Sequence, residues 1–233
     1  MSPASSSSYV LLIGGSFNPP HIGHFRIAIE AWEMLRPSEI IFVPTAAPPH
    51  KPDACLLPFS LRVEMLRNSL ELMPREANMS VSEVENERDG ASYTVDTLTV
   101  MAAHYPGKRL AFAMGGEDYA NLSTWNRWHE LPNLADLIIV PRREHSEESF
   151  VAATRLLWPQ ASPVSPPYPS VSKAFSLPDG GEVLYLPQPL LLLSSSLVRD
   201  RFLSGRSLEL LVPEPVRLLL VRQSEFVRSI WEC

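Results

Sequence analysis

Residues 14–24 read Gly-Gly-Ser-Phe-Asn-Pro-Pro-His-Ile-Gly-His, between an apolar run of strand length at 10–13 and a helical pattern at 23–35. Two glycines after a strand let the backbone approach a ligand closely, as in phosphate-binding turns. His21 and His24 lie three residues apart at the helix start, so both rings can face one anion beside the positive helix end. Gly23 removes a side chain that would obstruct that ligand. The stretch therefore predicts an anion site between strand and helix.

Outward from this stretch, apolar runs of strand length alternate with amphipathic segments of helical length. Strands are predicted near residues 10–13, 39–43, 79–84, 109–114, 137–140 and 182–186, and helices near 23–35, 60–72, 94–104, 124–131, 147–158, 196–203 and 214–227. The alternation predicts an α/β fold with a doubly wound, mainly parallel sheet and C-terminal helices. In such sheets, ligands bind outside the carboxyl ends of the strands, which is where the Gly-Gly turn stands.

Length and composition limit the architecture and the class of function. The 233 residues, 45% of them hydrophobic, suit a Ser-rich disordered tail at 1–8 and a single domain at 9–233, in which a Pro-rich stretch at 144–181 forms an irregular insertion. A net charge of −6 argues against a general binder of nucleic acid or anionic membranes. No apolar run approaches the roughly 18 residues of a membrane helix, and the first residues lack a signal-peptide pattern. We therefore expect a cytoplasmic protein.

Three other interpretations of the residues are weaker. Cys55 and Cys233 are far apart and form no CxxC pair, so we expect reduced thiols and neither a disulfide framework nor structural zinc. A GxGxxG dinucleotide fingerprint does not fit this chain. Its glycines are spaced differently, and it has an acidic residue after the second strand, which this chain lacks. Zinc on His21 and His24 lacks a clear third ligand. Plain helix capping by the two histidines competes only if His-x-Gly-His is considered without the residues before it.

Later motifs have physical interpretations of their own. Three serines at 194–196 precede a helix, where hydroxyls and N–H groups bind anions, and Arg199 adds further donors one turn on. Tyr93 and Thr94 open another helix, whose backbone N–H groups could hold a carboxylate. Trp125 could stack on a flat ring, and Asp118 could bind ribose hydroxyls. Each of these residues could instead be an ordinary helix cap, a core residue or a surface residue.

Taken together, these motifs resemble the bacterial nicotinate-nucleotide adenylyltransferase family of the nucleotidylyltransferase superfamily, whose signature is His-x-Gly-His at the first helix. The resemblance covers about residues 10–143 and 182–225, in the family's order. The segments that carry it, besides 14–24, are residues 44–51, 62–66, 85–98, 116–131, 194–199 and 211–216. Several motifs in order are much more specific than any single one.

The resemblance implies adenylyl transfer from ATP to nicotinate mononucleotide, with Mg²⁺ bound through the ATP phosphates and no metal ligand from the protein. The residues it implies in catalysis are His21, His24 and Arg199. The residues it implies in ATP binding are Gly14, Gly15, Ser16, Phe17, His21, His24, Gly116, Asp118, Ser195, Ser196 and Arg199. The residues it implies in nicotinate-nucleotide binding are Lys51, Tyr93, Thr94, Trp125 and Arg142. The expected partners are these two nucleotides, without nucleic acid or membrane, and a homo-oligomer is compatible with the sequence.

Two positions depart from the family pattern, and two other functions stay open. Asn18 stands where the family commonly has Asp, which removes a negative charge near the phosphates but keeps the turn-forming ability. Ser196 stands where Thr is usual and keeps the hydroxyl. The acceptor could instead be nicotinamide mononucleotide or another phosphorylated metabolite. A non-catalytic nucleotide-binding regulator is the other alternative, although such a protein should have lost a histidine or the Ser-Ser-x-x-x-Arg cluster, and both are present.

Overall fold

A computed structural model describes residues 9–48, 55–141, 146–189 and 191–232. The tail expected at 1–8 lies outside the described residues, and so do two of the expected ligand-binding residues, Lys51 and Arg142. The predictions for these positions therefore stay predictions.

Within the described residues, eight strands form one sheet in the order β3-β2-β1-β4-β5-β8-β7-β6. The strands are β1 Tyr9–Gly15, β2 Glu39–Pro44, β3 Met79–Val81, β4 Arg109–Gly115, β5 Asp136–Val140, β6 Ser162–Val164, β7 Lys173–Ser176 and β8 Glu182–Tyr185. The pairs β1–β4, β4–β5 and β5–β8 are parallel, whereas β7 pairs antiparallel with both β8 and β6. The predicted α/β class with a mainly parallel sheet is confirmed.

The helices largely follow the predicted alternation. They are α1 Ile22–Leu35, α2 Phe59–Leu70, α3 Thr94–His104, α4 Gly116–Ala120, α5 Leu131–Leu134, α6 Glu147–Leu157, α7 Ser195–Leu203, α8 Glu214–Arg222 and α9 Ser224–Trp231. One predicted helix, at 214–227, is instead two helices, because Gln223 leaves the helical conformation with φ −110° and ψ 30°. The predicted C-terminal helices are nevertheless present.

The Pro-rich stretch contains more regular structure than the sequence suggests. No element was expected at 159–181, yet β6 and β7 form an antiparallel pair there. Proline cannot donate a ladder hydrogen bond and is tolerated at sheet edges. Pro163 fits this rule, because β6 is the last strand in the sheet order. Proline content alone therefore did not reveal this short edge hairpin.

The described chain packs into two compact units. The first unit comprises the chain up to Gly14, Ile27–Ile40 and Tyr93–Leu192, and the second comprises Gly15–Arg26, Ile41–Ser92 and the chain from Leu193 onward. The second unit has a continuous core of apolar side chains from α2, α7, α8 and α9, among them Met65, Val198, Val216, Leu220 and Trp231. The single domain expected over 9–233 stays a prediction.

Cys55 differs from its expected state. It is disulfide-bonded, and the described residues include no free cysteine. The expectation of a reduced thiol at this position is therefore wrong, because disulfide pairing depends on distance in the fold and not on spacing in the sequence. The other cysteine, Cys233, lies outside the described residues.

Among the described residues, no helix is both long enough and apolar enough to cross a bilayer.

Candidate active site

The loop between β1 and α1 brings His21 and His24 together in the second unit. The two side chains are only 3% and 7% exposed, and their rings stack with centroids 3.7 Å apart. The backbone N–H of His21 donates to Nδ1 of His24 at 3.1 Å, and the N–H of His24 donates to the carbonyl of His21 at 2.9 Å. The pair is thus fixed by bonds of its own at the start of α1, where the helix dipole favours an anion.

The bond to Nδ1 determines which nitrogen of His24 carries a proton. Because Nδ1 accepts, the neutral ring carries its hydrogen on Nε2, and this N–H is a donor suited to a phosphate oxygen. Phe17 packs edge-on against the ring, with centroids 4.9 Å apart at 69°. Its own side chain is 1% exposed and its φ is 45°, so only its backbone is placed to meet a ligand.

The glycines of the motif provide space. A Cβ on Gly23 would lie 3.0 Å from Nδ1 and 3.1 Å from Cε1 of His21, so any larger residue displaces that ring. A Cβ on Gly15 would lie 3.3 Å from the ring of Phe17. In the first unit, a Cβ on Gly14 would come within 3.0 Å of the Phe112 ring.

Helix α7 is bonded to the same loop through two predicted anion-binding residues. Ser195 Oγ donates to the carbonyl of Pro19 at 2.9 Å, and Arg199 donates to the carbonyl of Asn18 at 2.8 Å. Arg199 also donates to Oγ of the exposed Ser196 at 3.0 Å. Partial burial lowers the pKa of the Arg199 guanidinium below its ordinary value, an effect that neighbouring Asp200 opposes. The structure thus gathers His21, His24, Ser195, Ser196 and Arg199 around one loop.

The N-terminal cap of α7 is Ser194, whose Oγ accepts from the N–H of Leu197 at 3.2 Å. One of the three serines is therefore an ordinary cap, and the remaining two keep hydroxyls near the helix start. Helix α2, predicted near 60–72, begins at Phe59 after Pro58, and no side chain caps it.

Arg62 is a buried residue of this site for which the sequence analysis assigned no role. Its side chain is 1% exposed, and it donates to the carbonyls of Leu57 at 2.9 Å, Ser16 at 2.7 Å and Thr45 at 2.9 Å. Burial lowers its pKa to about 10, although nearby Glu85 acts in the opposite direction, so it is charged at neutral pH. Arg62 joins the loop after β1 to the loop after β2. Its position beside the apolar face of α2 is the sequence feature that could have indicated its burial.

The loop after β2 is held by further buried polar groups. The N–H of Ala46 donates to Oε2 of Glu85 at 3.2 Å. The N–H of Ala47 donates to Oγ of Ser92 at 3.0 Å, and the N–H of Ser92 donates to the carbonyl of Ala47 at 2.9 Å. This segment leads into the stretch with Lys51, which lies outside the described residues.

The first unit contains the residues expected to bind the pyridine ring and its carboxylate. Tyr93 is the extended N-cap of α3, Thr94 is its first residue, and no side chain caps the helix; both residues are half-buried. Asp96 in the first turn forms an ion pair with Arg127. A helix of eleven residues presents its positive end here, with the acidic Asp96 in its first turn.

Trp125 and Asp118 lie on short elements after β4. Trp125 is extended, between the 3₁₀ turns Leu122–Thr124 and Trp128–Glu130, so the helix predicted at 124–131 is wrong. Its half-exposed ring meets Phe112 edge-on, with centroids 6.5 Å apart. Gly116 is the buried first residue of α4, and Asp118 is exposed in its first turn.

Most of the sequence matches one family model and several curated relatives. The profile of the cytidylyltransferase-like family matches residues 12–201. A protein of Citrifermentans bemidjiense, named "Probable nicotinate-nucleotide adenylyltransferase", is 34% identical over 93% of this chain and 97% of its own. A protein of the same name from Exiguobacterium sibiricum is also 34% identical, over 90% of this chain and 94% of its own.

A solved structure is similar in fold. Nicotinic acid mononucleotide adenylyltransferase from Plasmodium falciparum, complexed with NaAD, aligns with a TM-score of 0.71 over 93% of this chain and 96% of that chain. Its sequence identity of 15% supports the fold alone.

Proposed function

Because this chain belongs to the nicotinate-nucleotide adenylyltransferase family, we propose that it transfers the adenylyl group of ATP to nicotinate mononucleotide. The products are nicotinate adenine dinucleotide, an intermediate of NAD biosynthesis, and pyrophosphate. The observation that carries the proposal is the histidine pair at the start of α1. The pair is buried and internally bonded, and the lack of a Cβ on Gly23 leaves room for the His21 ring. It is suited to hold the phosphates of a nucleotide.

The reaction requires the protein mainly to place the two nucleotides and to stabilise the developing charge. A phosphate oxygen of the mononucleotide attacks the α-phosphorus of ATP, and the bond from that phosphorus to the bridging oxygen of the β-phosphate breaks. A phosphate monoester is largely ionised at neutral pH, since its second pKa is about 6, so no general base is needed. Catalysis then rests on alignment of the two nucleotides and on donors for the developing charge.

The residues of the second unit are proposed to hold the triphosphate. His24 Nε2–H donates to an oxygen of the α-phosphate, with His21 beside it. Arg199, Ser195 and Ser196 hold the departing pyrophosphate. A guanidinium has five N–H donors, which is more than the bonds from Arg199 to Asn18 and Ser196 require.

Backbone groups of the glycine turn are proposed to complete ATP binding at Gly14, Gly15, Ser16 and Phe17. The nucleoside part of ATP is assigned to Gly116 and Asp118, and the nicotinate nucleotide to Tyr93, Thr94, Trp125, Lys51 and Arg142. The half-exposure of Tyr93, Thr94 and Trp125 supports a role in binding a ring from solution.

Magnesium is proposed to arrive with ATP as part of the substrate. The described ranges contain no group of three or more His, Cys, Asp or Glu side chains that could hold a metal ion. Mg²⁺ usually keeps several waters and binds through substrate phosphates. The chain's own contribution is then to bind the phosphates that carry the metal.

We further propose a cytoplasmic location and assembly into a homo-oligomer. ATP is a cytoplasmic substrate, which supports the first. The bonded state of Cys55 counts against it, since disulfides are rare in reducing compartments.

The experiment is a product analysis with the full-length protein. ATP, MgCl₂ and nicotinate mononucleotide are incubated with the enzyme, and pyrophosphate and the dinucleotide are identified by mass spectrometry. Equimolar formation of both products is expected. ADP, AMP or no turnover would contradict the proposal. Parallel reactions with nicotinamide mononucleotide and other phosphorylated acceptors identify any different preference.

A further inference from the structure

Asn18, in the loop between β1 and α1, has a buried polar side chain with three hydrogen-bond partners. It is 5% exposed, and its Nδ2 donates to the backbone carbonyl of Cys55 at 2.7 Å. Its Oδ1 accepts from the N–H of Leu57 at 3.1 Å and from Nε1 of Trp231 at 3.4 Å. The side chain thus ties the loop to the segment before α2 and to the end of α9, all within the second unit.

The backbone of the same residue is used as well. The carbonyl of Asn18 accepts from Arg199, and the next carbonyl, that of Pro19, accepts from Ser195. Three residues later, His21 begins the pair that faces the predicted anion site. Any shift of Asn18 therefore moves the histidine pair and both α7 contacts together.

The pattern of partners requires a carboxamide. One atom must donate to a carbonyl and the other must accept from two N–H groups, which asparagine does and an ionised aspartate cannot. A carboxylate here would lose the bond to Cys55 and place a negative charge against that carbonyl oxygen. Leaving a buried polar group without its partner is costly, so the residue type matters.

We propose that Asn18 is a positioning residue for adenylyl transfer, which fixes His21, His24 and Arg199 by joining their loop to the 55–57 segment and to Trp231. The inference rests on the proposed function for its kinetic readout, but its contacts do not. Asn18 would act through the loop and would not itself touch Mg²⁺ or the phosphates. The competing possibility is direct action on the metal, in which an aspartate at this position would be the better residue.

The decisive variant is Asn18→Asp, which changes one NH₂ to an oxygen at nearly constant size. We expect kcat to fall at least about tenfold, since loss of alignment is expensive in rate. The KM for nicotinate mononucleotide and the Mg²⁺ concentration for half-maximal rate should stay within twofold of wild type. Asn133→Asp, an exposed residue of α5, is the matched control and should behave as wild type. Because Cys55 is disulfide-bonded, all variants are compared under one redox condition.

Trp231→Phe keeps the test independent of how well the first variant folds. It removes only the Nε1–H and should lower kcat about two- to fivefold, in line with a single long hydrogen bond. The double variant should be slower than either single variant, but by less than the product of the two single losses, because the changes remove different bonds of one side chain. Unchanged kcat in both single variants, or a lowered Mg²⁺ requirement in Asn18→Asp, would overturn the proposal.

A binding measurement separates this inference from the proposed function. Calorimetric titration with a non-cleavable ATP analogue is expected to show at least about tenfold weaker binding to Asn18→Asp than to wild type, because the histidines and Arg199 are displaced. If wild type binds the analogue but makes no dinucleotide, the proposed function fails while the positioning role is still measured. Equal affinities would remove the positioning role whatever the reaction.

Discussion

The loop at 16–21 and the start of α3 differ in how far the chain has already satisfied their polar groups. In the loop, the carbonyls of Ser16, Asn18 and Pro19 accept bonds from buried or half-buried side chains, and the two histidines bond each other. At α3 no side chain caps the helix, and Tyr93 and Thr94 are half-exposed.

The difference supports a different proposed role for each region. Donors that stabilise charge in a transition state must be fixed before the substrate arrives, because moving them during the reaction costs rate. Groups that only bind a ring or a carboxylate can stay open to solvent. Substitutions in the loop should therefore lower kcat, and changes at α3 should alter the choice of acceptor.

The largest effect is expected from His24→Ala. It removes the Nε2–H donor while the neighbouring core is kept, so kcat should fall about 10²–10³-fold. Steady-state pyrophosphate release measures this, with His104→Ala, an exposed histidine at the end of α3, as the control. A folded variant with nearly normal kcat would show that His24 has no catalytic role and that the loop at 16–21 does not differ from the start of α3 in its effect on kcat.

The next effect is expected from Arg199→Ala. Loss of charged hydrogen bonds toward the pyrophosphate should reduce kcat/KM for ATP about 10–100-fold. The KM for nicotinate mononucleotide should change far less. The control is Arg201→Ala on the same helix, where Nε donates to the carbonyl of Ser207. A larger defect in acceptor binding would show that Arg199 contacts the acceptor and not the pyrophosphate of ATP.

At the open region, the prediction concerns acid against amide. The N-terminus of α3 offers N–H donors and a positive dipole to a carboxylate, whereas a carboxamide would turn its own N–H groups toward donors. An opposed polar group costs roughly 1–3 kcal/mol, so nicotinate mononucleotide should be preferred at least about tenfold over the amide in kcat/KM. Equal values at identical Mg²⁺ and salt would refute this role of α3.

The smallest effect is expected from Gly23→Ala. Alanine favours a helix by about 1 kcal/mol over glycine, so the free energy of unfolding should hardly fall. The new Cβ lies 3.0 Å from the His21 ring, however, and a shift of a few tenths of an ångström should lower kcat about fivefold. Denaturant unfolding and kinetics on one preparation compare the two quantities. If kcat is unchanged, catalysis tolerates displacement of His21, and the rate depends less on the position of the loop than its packing indicates.

The sequence predicted the sheet and the histidine pair because both depend on local patterns. Alternating apolar runs are sufficient to predict β1, β2, β4 and β5. His-x-Gly-His is a pattern of four consecutive residues at a helix start. The strands β6 and β7 were missed because prolines interrupt the apolar pattern there and the two strands have only three and four residues.

The missing parts of the site have the same cause. Arg62 donates to the carbonyls of Thr45 and Ser16, which are 17 and 46 residues away. The Asn18 amide donates to a carbonyl 37 residues away, a relation that only the folded chain reveals. The disulfide at Cys55 was missed for the same reason. Short patterns thus identified the groups proposed to meet the substrate, and three-dimensional packing was needed to find those that hold them.

The central claim is that the histidine loop places and stabilises a direct transfer and never takes the adenylyl group itself. Exchange of labelled pyrophosphate into ATP tests this directly, with wild-type enzyme and Mg²⁺ in the absence of nicotinate mononucleotide. The account predicts no exchange until the dinucleotide product is added, when the reverse reaction carries the label into ATP. Exchange with ATP and pyrophosphate alone, at a rate comparable to kcat, would mean that the enzyme forms a covalent adenylyl intermediate and would contradict the account.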